Sequence, residues 1–202
     1  MNEIPRHIQE NLRTIFVFTC GVNENDIEQT VRTAYENARF PTRVYFGIID
    51  QRTDGKFANT EDYINVKKVN IDYKYPLGLG VGRLNALMLH ENQDYGLQID
   101  AHTIFDKHWD ILLLQDISQL MIGHEKSVIS QRPKWYLKDD FGNIEFRNFG
   151  GRKMFICNIN GCYEMDGDLT ANSVGLDEHF LVSGGFVFAI LNFLLPLVFF
   201  SS

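Results

Sequence analysis

The stretch Tyr95-Gly96-Leu97-Gln98-Ile99-Asp100-Ala101-His102 reads as a short apolar strand that runs directly into an acidic residue and a histidine. Side chains two residues apart on a strand point to the same side, so Asp100 and His102 can share one cation if the backbone stays extended. A carboxylate and an imidazole suit manganese or magnesium. The same pattern also fits an aspartate that starts a turn and a histidine on the surface.

Further strands and helices are predicted on both sides of this stretch. Three upstream strands are predicted at residues 14–19, 43–49 and 66–71. Two upstream helices are predicted, one capped by Asp26 and one from Arg83 to Glu91 after Gly78, Gly80 and Gly82. Downstream patterns predict a helix from Trp109 to Ile122, strands at 127–130 and 186–189, and a hairpin turn at Asn160-Gly161. With right-handed crossovers, this order predicts an α/β fold with a mostly parallel sheet covered by helices.

Polar residues follow the predicted upstream strands. They are Thr19-Cys20, Asp50, Asp72 and Asp100. Each alone has an ordinary structural explanation, since aspartate is common in turns. Because ligands of parallel α/β sheets bind outside the carboxyl ends of the strands, four polar strand ends at one edge indicate a nucleotide-binding site.

Composition restricts the class of protein. A chain of 202 residues with 45% hydrophobic content can bury a real core, and we expect a single domain. A net charge of -7 argues against nonspecific binding of nucleic acid. Three cysteines at irregular spacing indicate reduced thiols, and residues 1–13 lack the features of a signal peptide. We therefore expect a cytoplasmic protein without a nucleic-acid partner.

The C-terminal residues 181–200 are apolar over a length that can span a bilayer. However, Gly184-Gly185 followed by Phe186 to Ala189 is typical of a buried strand, and no Lys or Arg flanks the segment. A strand and core helix are favoured over membrane contact. The expected organisation is an N-terminal extension at 1–13, one domain at 14–189 and an apolar tail at 190–202.

Five segments together resemble the GT-A glycosyltransferases, whose motifs occur in the same order. The segments are Cys20 onwards, 46–51, the helix start at 80–86, 98–102 and 183–189. The most similar members would be the cytoplasmic N-acetylglucosaminyltransferases that modify hydroxyproline on a Skp-type protein. The resemblance implies a GT-A sheet flanked by helices, with Mn²⁺ or Mg²⁺ held by Asp100 and His102 against the diphosphate of a UDP-sugar.

The resemblance also implies roles for individual residues. Donor-binding residues would be Thr19, Asp50, Gly80, Arg83 and Asp100. Of these, Arg83 would pair with phosphate or with Asp100, and Asp50 would meet the base or ribose of the nucleotide. Residues on the acceptor side would be Trp135, Gly184 and Gly185.

The implied activity is metal-dependent transfer of a sugar, N-acetylglucosamine, from a UDP-sugar to a protein or glycan hydroxyl with retention of configuration. The family's acidic pair is missing after Ala189, so the GT-A domain is expected to be incomplete at its C-terminus; Asp177-Glu178-His179 is a candidate substitute. No catalytic base can be named. One alternative is a noncatalytic module that binds a sugar nucleotide or a partner. Another is a nucleotidyltransferase, although residues 19–24 lack the glycine-rich, lysine-bearing loop of that class.

Overall fold

The computed structural model describes residues 13–72, 74–75, 77–122, 127–130, 135–139, 142–147, 155–159, 162–166, 185–192 and 194. The chain separates into two compact units, where the sequence patterns led us to expect one domain. The first unit is Met1–Gln131 together with Val182–Ser202, and the second is Arg132–Leu181.

The predicted strands and helices occur in the predicted order, and the structure adds two strands at 135–138 and 144–147. The described elements are β1 (Ile15–Val22), α1 (Ile27–Asn37), a 3₁₀ turn (Pro41–Arg43), β2 (Val44–Arg52), β3 (Val66–Asp72), α2 (Leu79–Leu87), β4 (Tyr95–Ile99), α3 (Trp109–Leu120), β5 (Val128–Ser130), β6 (Trp135–Lys138), β7 (Ile144–Arg147), β8 (Phe155–Ile159), β9 (Cys162–Asp166) and β10 (Phe186–Ile190). In the second unit, β6 pairs with β7 and β8 with β9, both antiparallel. The pairing of β8 with β9 confirms the predicted hairpin, although residues 160–161 at its turn lie outside the described ranges.

The first unit is built on a six-stranded sheet in the order β3-β2-β1-β4-β10-β5. Strands β1 to β4 are parallel to one another, and β10 runs antiparallel to both β4 and β5. Seven of the eight residues of β1 are buried, as expected for a continuous apolar strand covered on both faces. The predicted mostly parallel, mixed sheet is confirmed.

Alternate residues of β1 point to opposite faces of the sheet and fill two separate cores. Ile15 and Val17 pack in one core with apolar residues of α1 and α3. Phe16 and Phe18 pack in the other, with α2 and the two residues Leu191 and Leu194 that follow β10. Helices therefore cover both faces of the central strands.

Several predicted boundaries were wrong. β1 continues to Val22 and β2 to Arg52, because each is paired along that length with its neighbour, for example Cys20 opposite Ile49. Thr19, Cys20 and Asp50 therefore lie inside strands rather than at their ends. Helix α2 begins at Leu79 and not at Arg83, with the N–H of Gly82 bonded to the carbonyl of Gly78 at 2.8 Å.

The described part of the apolar C-terminal segment forms β10, as predicted, with Leu191 and Leu194 buried against the sheet. Among the residues that the structure describes, we find no helix with the length and apolarity needed to cross a bilayer.

Candidate functional site

The carboxyl ends of the four parallel strands meet at one edge of the sheet. The register aligns Val22 with Gln51 and Arg52 with Asp72 across neighbouring strands. Strand β4 ends at Ile99 between β1 and β10. The segments that follow these strands therefore surround one edge, where a ligand of such a sheet would bind.

Asp100 forms an ion pair with Arg83 at this edge. The Arg83 Nη2 donates to Asp100 Oδ1 at 2.7 Å, and the two side chains are 15% and 37% exposed. Asp100 is one of the two partners that the sequence left open for Arg83. Within the described ranges, the buried Nε of Arg83 has no hydrogen-bond partner, and neither does Asp100 Oδ2. One guanidinium donor and one carboxylate oxygen thus remain uncommitted in a partly buried pair.

Helix α2 reaches this edge because of a close contact at Gly82. A Cβ at this position would lie 2.3 Å from the Sγ of Cys20, so only glycine lets the helix approach β1 so closely. The buried Gln51 donates to the same sulfur at 3.3 Å and accepts from the N–H of Leu77 at 2.8 Å. Burial raises the pKa of the Cys20 thiol, which favours a packing role over a reactive one.

His102 lies in a turn, because β4 stops at Ile99 and the backbone turns at Ala101 and His102. The extended backbone that would have placed Asp100 and His102 on one strand face is absent here, and the two side chains take different partners. The Nδ1 of His102 lies 3.0 Å from Oε2 of Glu24. This hydrogen bond raises the pKa of His102 and lowers the pKa of Glu24.

The turn after β4 is tied to α1 by one buried threonine. The Thr30 hydroxyl donates to the carbonyl of Ala101 at 2.9 Å and accepts from the N–H of Thr103 at 3.0 Å. In addition, the Thr103 hydroxyl donates to the carbonyl of Asp100 at 2.7 Å. These bonds fix the backbone from which Asp100 and His102 project.

Asp50 and Arg52 form a buried ion pair near the end of β2. The Arg52 Nε donates to Asp50 Oδ1 at 2.8 Å, while Oδ2 accepts from the N–H of Ala58 at 2.8 Å. Arg52 also donates from Nη1 to Asn25 Oδ1 at 2.9 Å and from Nη2 to the carbonyl of Glu24. Asp50 was predicted to face the nucleotide from a strand end. It is instead fully buried, and both of its oxygens are occupied.

The remaining predicted site residues have different surroundings. Thr19 is fully buried, with its hydroxyl donating to the carbonyl of Ile99 at 3.0 Å. Gly80 lies in the first turn of α2, and the carbonyl of Gly185 accepts from the N–H of Asp100 at 3.3 Å. Trp135 begins β6 in the second unit. Two predictions lie outside the described residues, namely Gly184 and the cluster Asp177-Glu178-His179.

Sequence reasoning missed the role of four side chains at this edge, which are Glu24, Thr30, Gln51 and Arg52. Signals existed for two of them, Arg52 and Glu24. Asp50 and Arg52 are two apart on a strand, so the same rule that was applied to Asp100 and His102 would have paired them. For Glu24, the only signal was an acidic residue in the loop after β1, at the ligand-binding edge.

Two side chains at the end of β4 are of types that bind divalent cations in proteins. No group of three or more His, Cys, Asp or Glu side chains able to hold an ion occurs in the described ranges. Asp100 Oδ2 and the Nε2 of the exposed His102 are available donors of the kind that manganese accepts. Ions of this kind commonly take one or two protein ligands and complete their coordination with water and phosphate.

Comparison with known families identifies the chain. Residues 56–195, which include Arg83, Asp100 and His102, match the sequence model of the family described as Glycosyltransferase (GlcNAc). The chain belongs to this family. The GT-A resemblance is thereby confirmed, and the mixed sheet of this glycosyltransferase family member has the predicted GT-A architecture.

Solved structures show distant likenesses to this glycosyltransferase family member. TarS 1-349 of S. aureus shares 17% identity over 58% of this chain and 34% of its own, with a TM-score of 0.40. The mannosyltransferase PcManGT of Pyrobaculum calidifontis, in complex with GDP-Man and Mn2+, shares 11% identity over 59% of this chain and 35% of its own. Its TM-score is also 0.40. The 4-diphosphocytidyl-2C-methyl-D-erythritol synthase of Anaerococcus prevotii shares 10% identity over 95% of this chain and 78% of its own, with a TM-score of 0.42.

The chain thus spans about a third of the lengths of TarS 1-349 and PcManGT. Likenesses with these scores assign neither a donor nor an acceptor. No curated protein sequence matches the chain.

Proposed function

We propose that this chain carries the donor site of a glycosyltransferase that transfers N-acetylglucosamine from UDP-N-acetylglucosamine to a protein or glycan hydroxyl, with retention. The observation that supports it best is the Arg83–Asp100 pair at the end of β4. Within a family defined by sugar transfer, this pair combines a partly buried cation and an available carboxylate oxygen at the ligand-binding edge.

The chemistry of a nucleotide-sugar donor requires such groups. When the sugar departs, negative charge develops on the phosphate oxygens of the leaving UDP. A bound Mn²⁺ or Mg²⁺ would supply Lewis-acid stabilisation of that charge. Asp100 and His102 are the residues that would hold the ion.

Arg83 has a separate role in this proposal. Its Nη2 is committed to Asp100, whereas its Nε has no partner among the described residues. Because Nε is buried, a phosphate oxygen would pair with the other terminal nitrogen, Nη1, while Nη2 keeps the carboxylate in place. Arg83 therefore orients the Asp100 carboxylate and adds positive charge next to the diphosphate.

Two residues that were predicted to contact the donor are assigned a supporting role instead. Asp50 and Thr19 are fully buried, and their polar atoms are bonded within the protein. Contact with a nucleotide would require these bonds to break. We propose that they stabilise the sheet edge on which the donor site is built.

Calorimetric titration with UDP tests this donor site. Wild-type protein is expected to bind UDP only when Mn²⁺ is present. Asp100→Asn should weaken binding by about tenfold or more, since loss of groups that hold or orient a metal typically costs this much. Glu36→Gln is the matched control, because Glu36 is an exposed carboxylate on α1 that has no part in the proposed donor site. The proposal would be contradicted if the affinity for UDP were the same with and without Mn²⁺ and the same in wild type and Asp100→Asn.

Donor identity and turnover require a second experiment. UDP-N-acetylglucosamine should compete with UDP for the site, whereas GDP-mannose should not. Slow release of UDP from UDP-N-acetylglucosamine, dependent on Mn²⁺, is expected even without an acceptor. Tight donor binding without any hydrolysis or transfer would instead favour the noncatalytic module.

A further inference from the structure

We propose that Glu24 is a positioning residue that fixes the ring of His102 so that Nε2 faces the divalent cation. This inference rests on the proposed donor site. Glu24 lies in the loop between β1 and α1, 78 residues from His102 in sequence, yet its Oε2 is 3.0 Å from the ring Nδ1.

The chemistry of this contact defines the tautomer of the ring. An ionised carboxylate can only accept hydrogen bonds, so Nδ1 must carry the hydrogen. In a neutral imidazole with hydrogen on Nδ1, the lone pair is on Nε2, where it can coordinate a metal. Metal-binding histidines usually donate their other ring N–H to a carboxylate, a carbonyl or water, which sets the tautomer and the orientation of the ring. The Glu24–His102 pair has this arrangement.

Glu24 is itself held in place from the interior of the protein. Its carbonyl accepts from Nη2 of the buried Arg52, and its Oε1 accepts from the N–H of Asp26 at 3.3 Å. Arg52 is in turn fixed by Asp50. The carboxylate that meets His102 is therefore attached to a backbone anchored by a buried ion pair.

Gly21 of β1 allows Glu24 and Ala101, the residue before His102, to lie close to the strand. A Cβ added at Gly21 would lie 2.9 Å from Cβ of Glu24 and 3.3 Å from Cβ of Ala101. On the other side, Thr30 of α1 bonds the carbonyl of Ala101. Both partners of the pair are thus held by their backbones, so that the contact does not depend on two freely moving side chains.

A purely structural role would not require this geometry. His102 is 53% exposed and Glu24 is 26% exposed, and exposed ion pairs contribute little to stability. The test must therefore measure the ring tautomer and the metal affinity, because these properties respond to orientation rather than to stability.

The first measurement is the ring tautomer of His102 in metal-free protein, from two-bond ¹H–¹⁵N NMR spectra at a pH where the ring is neutral. Wild type should show hydrogen on Nδ1. Glu24→Leu, which removes the acceptor, should shift the population toward hydrogen on Nε2. Glu24→Gln keeps an oxygen that can accept, so it should retain much of the wild-type tautomer.

The second measurement is the affinity for Mn²⁺ in the presence of UDP. Glu24→Leu should weaken Mn²⁺ binding by about 10-fold to 100-fold relative to wild type. Glu24→Gln should bind Mn²⁺ with an affinity much closer to that of wild type. Glu36→Leu, which removes an exposed carboxylate elsewhere on α1, is the matched control and should bind as wild type does. If Glu24→Leu does not fold, Glu24→Asp, whose carboxylate is one methylene shorter, must show the loss instead.

The outcomes separate this inference from the donor-site proposal. If Asp100→Asn weakens Mn²⁺-dependent UDP binding but Glu24→Leu changes neither the tautomer nor the affinity, the role of Glu24 is wrong and the donor site stands. If wild type shows no Mn²⁺-dependent UDP binding, both proposals are overturned.

Discussion

Two tripeptides with the same spacing of polar residues differ in backbone conformation and in hydrogen-bond partners. Asp50-Gln51-Arg52 closes β2 and Asp100-Ala101-His102 follows β4, and both strands flank β1 at the same edge of the sheet. In the first, the backbone stays extended and the outer residues bond each other at 2.8 Å. In the second, the backbone turns, and the outer residues bond Arg83 and Glu24 instead. Spacing brings two side chains together only where the strand continues.

The two tripeptides also differ in burial. Asp50 and Arg52 are 0% and 5% exposed, whereas Asp100 and His102 are 37% and 53% exposed. Buried charges must be paired, because an uncompensated charge in the interior is strongly unfavourable. The charged pair at the end of β2 therefore stabilises the fold, whereas the side chains at the end of β4 keep oxygen and nitrogen atoms accessible to a ligand.

The largest effect that tests this comparison is expected at Asp50. Asp50→Asn leaves the Arg52 charge buried without its counterion, which should lower the free energy of unfolding by about 3–5 kcal/mol. Asp100→Asn should lower it by less, about 1 kcal/mol, because the Asp100 side chain is 37% exposed and water replaces part of the lost interaction. Urea unfolding of both variants measures the difference. Equal losses for the two variants would contradict the assignment of stability to one end and binding to the other.

A smaller effect is expected at Thr30, which holds the turn after β4. Thr30→Val keeps the shape of the side chain but leaves the carbonyl of Ala101 and the N–H of Thr103 without their bonds. We expect a loss of about 1–3 kcal/mol in unfolding free energy and faster hydrogen exchange at Thr103. Thr33→Val is the control, since the hydrogen bonds of Thr33 are longer, at 3.3 and 3.4 Å. If the control lost as much as Thr30→Val, the turn would not depend on Thr30.

The smallest effect is a pH dependence of stability from the Glu24–His102 pair. The pKa of His102 is raised from 6.5. Its contribution to the free energy of unfolding is therefore complete below pH 6.5 and is lost as pH rises through the raised pKa. The pKa of Glu24 is lowered from 4.5, so its contribution is present above 4.5 and is lost as pH falls through the lowered pKa. Wild type should exceed His102→Gln in unfolding free energy by at most about 1 kcal/mol, and mainly between these values. A difference that did not change with pH would exclude the ion pair as its source.

Local sequence patterns predicted the sheet well but not the ends of its strands. The predicted helix after Asp26 is present as α1, and its buried face contains Ile27, Val31 and Ala34, which are spaced as an apolar stripe along a helix. Thr19 and Asp50 were interpreted as the polar ends of strands. Their actual partners are the carbonyl of Ile99 for Thr19 and, for Asp50, Arg52 together with the N–H of Ala58. Contacts of this kind bury polar residues inside strands, and most of them are not visible in a local pattern.

The candidate site was predictable in part. Opposite charges and the family resemblance pointed to Arg83 beside Asp100, and the structure has this pair. Glu24 was missed because 78 residues separate it from His102, and only the parallel arrangement of β1 and β4 brings their loops together. The prediction that Asp100 and His102 lie on one strand face assumed an extended backbone. That assumption was wrong, because β4 stops at Ile99, one residue before Asp100.

The most direct test of the donor-site assignment is the location of the bound metal. Small amounts of Mn²⁺, added with UDP to ¹⁵N-labelled protein, broaden the amide signals of residues near the ion. We predict that the signals of residues 100–103 and Glu24 are lost first. The signals of Asp94, at the opposite end of β4 and about 20 Å away along the strand, should persist. Early loss of the Asp94 signal, or uniform broadening, would contradict a metal site at the end of β4.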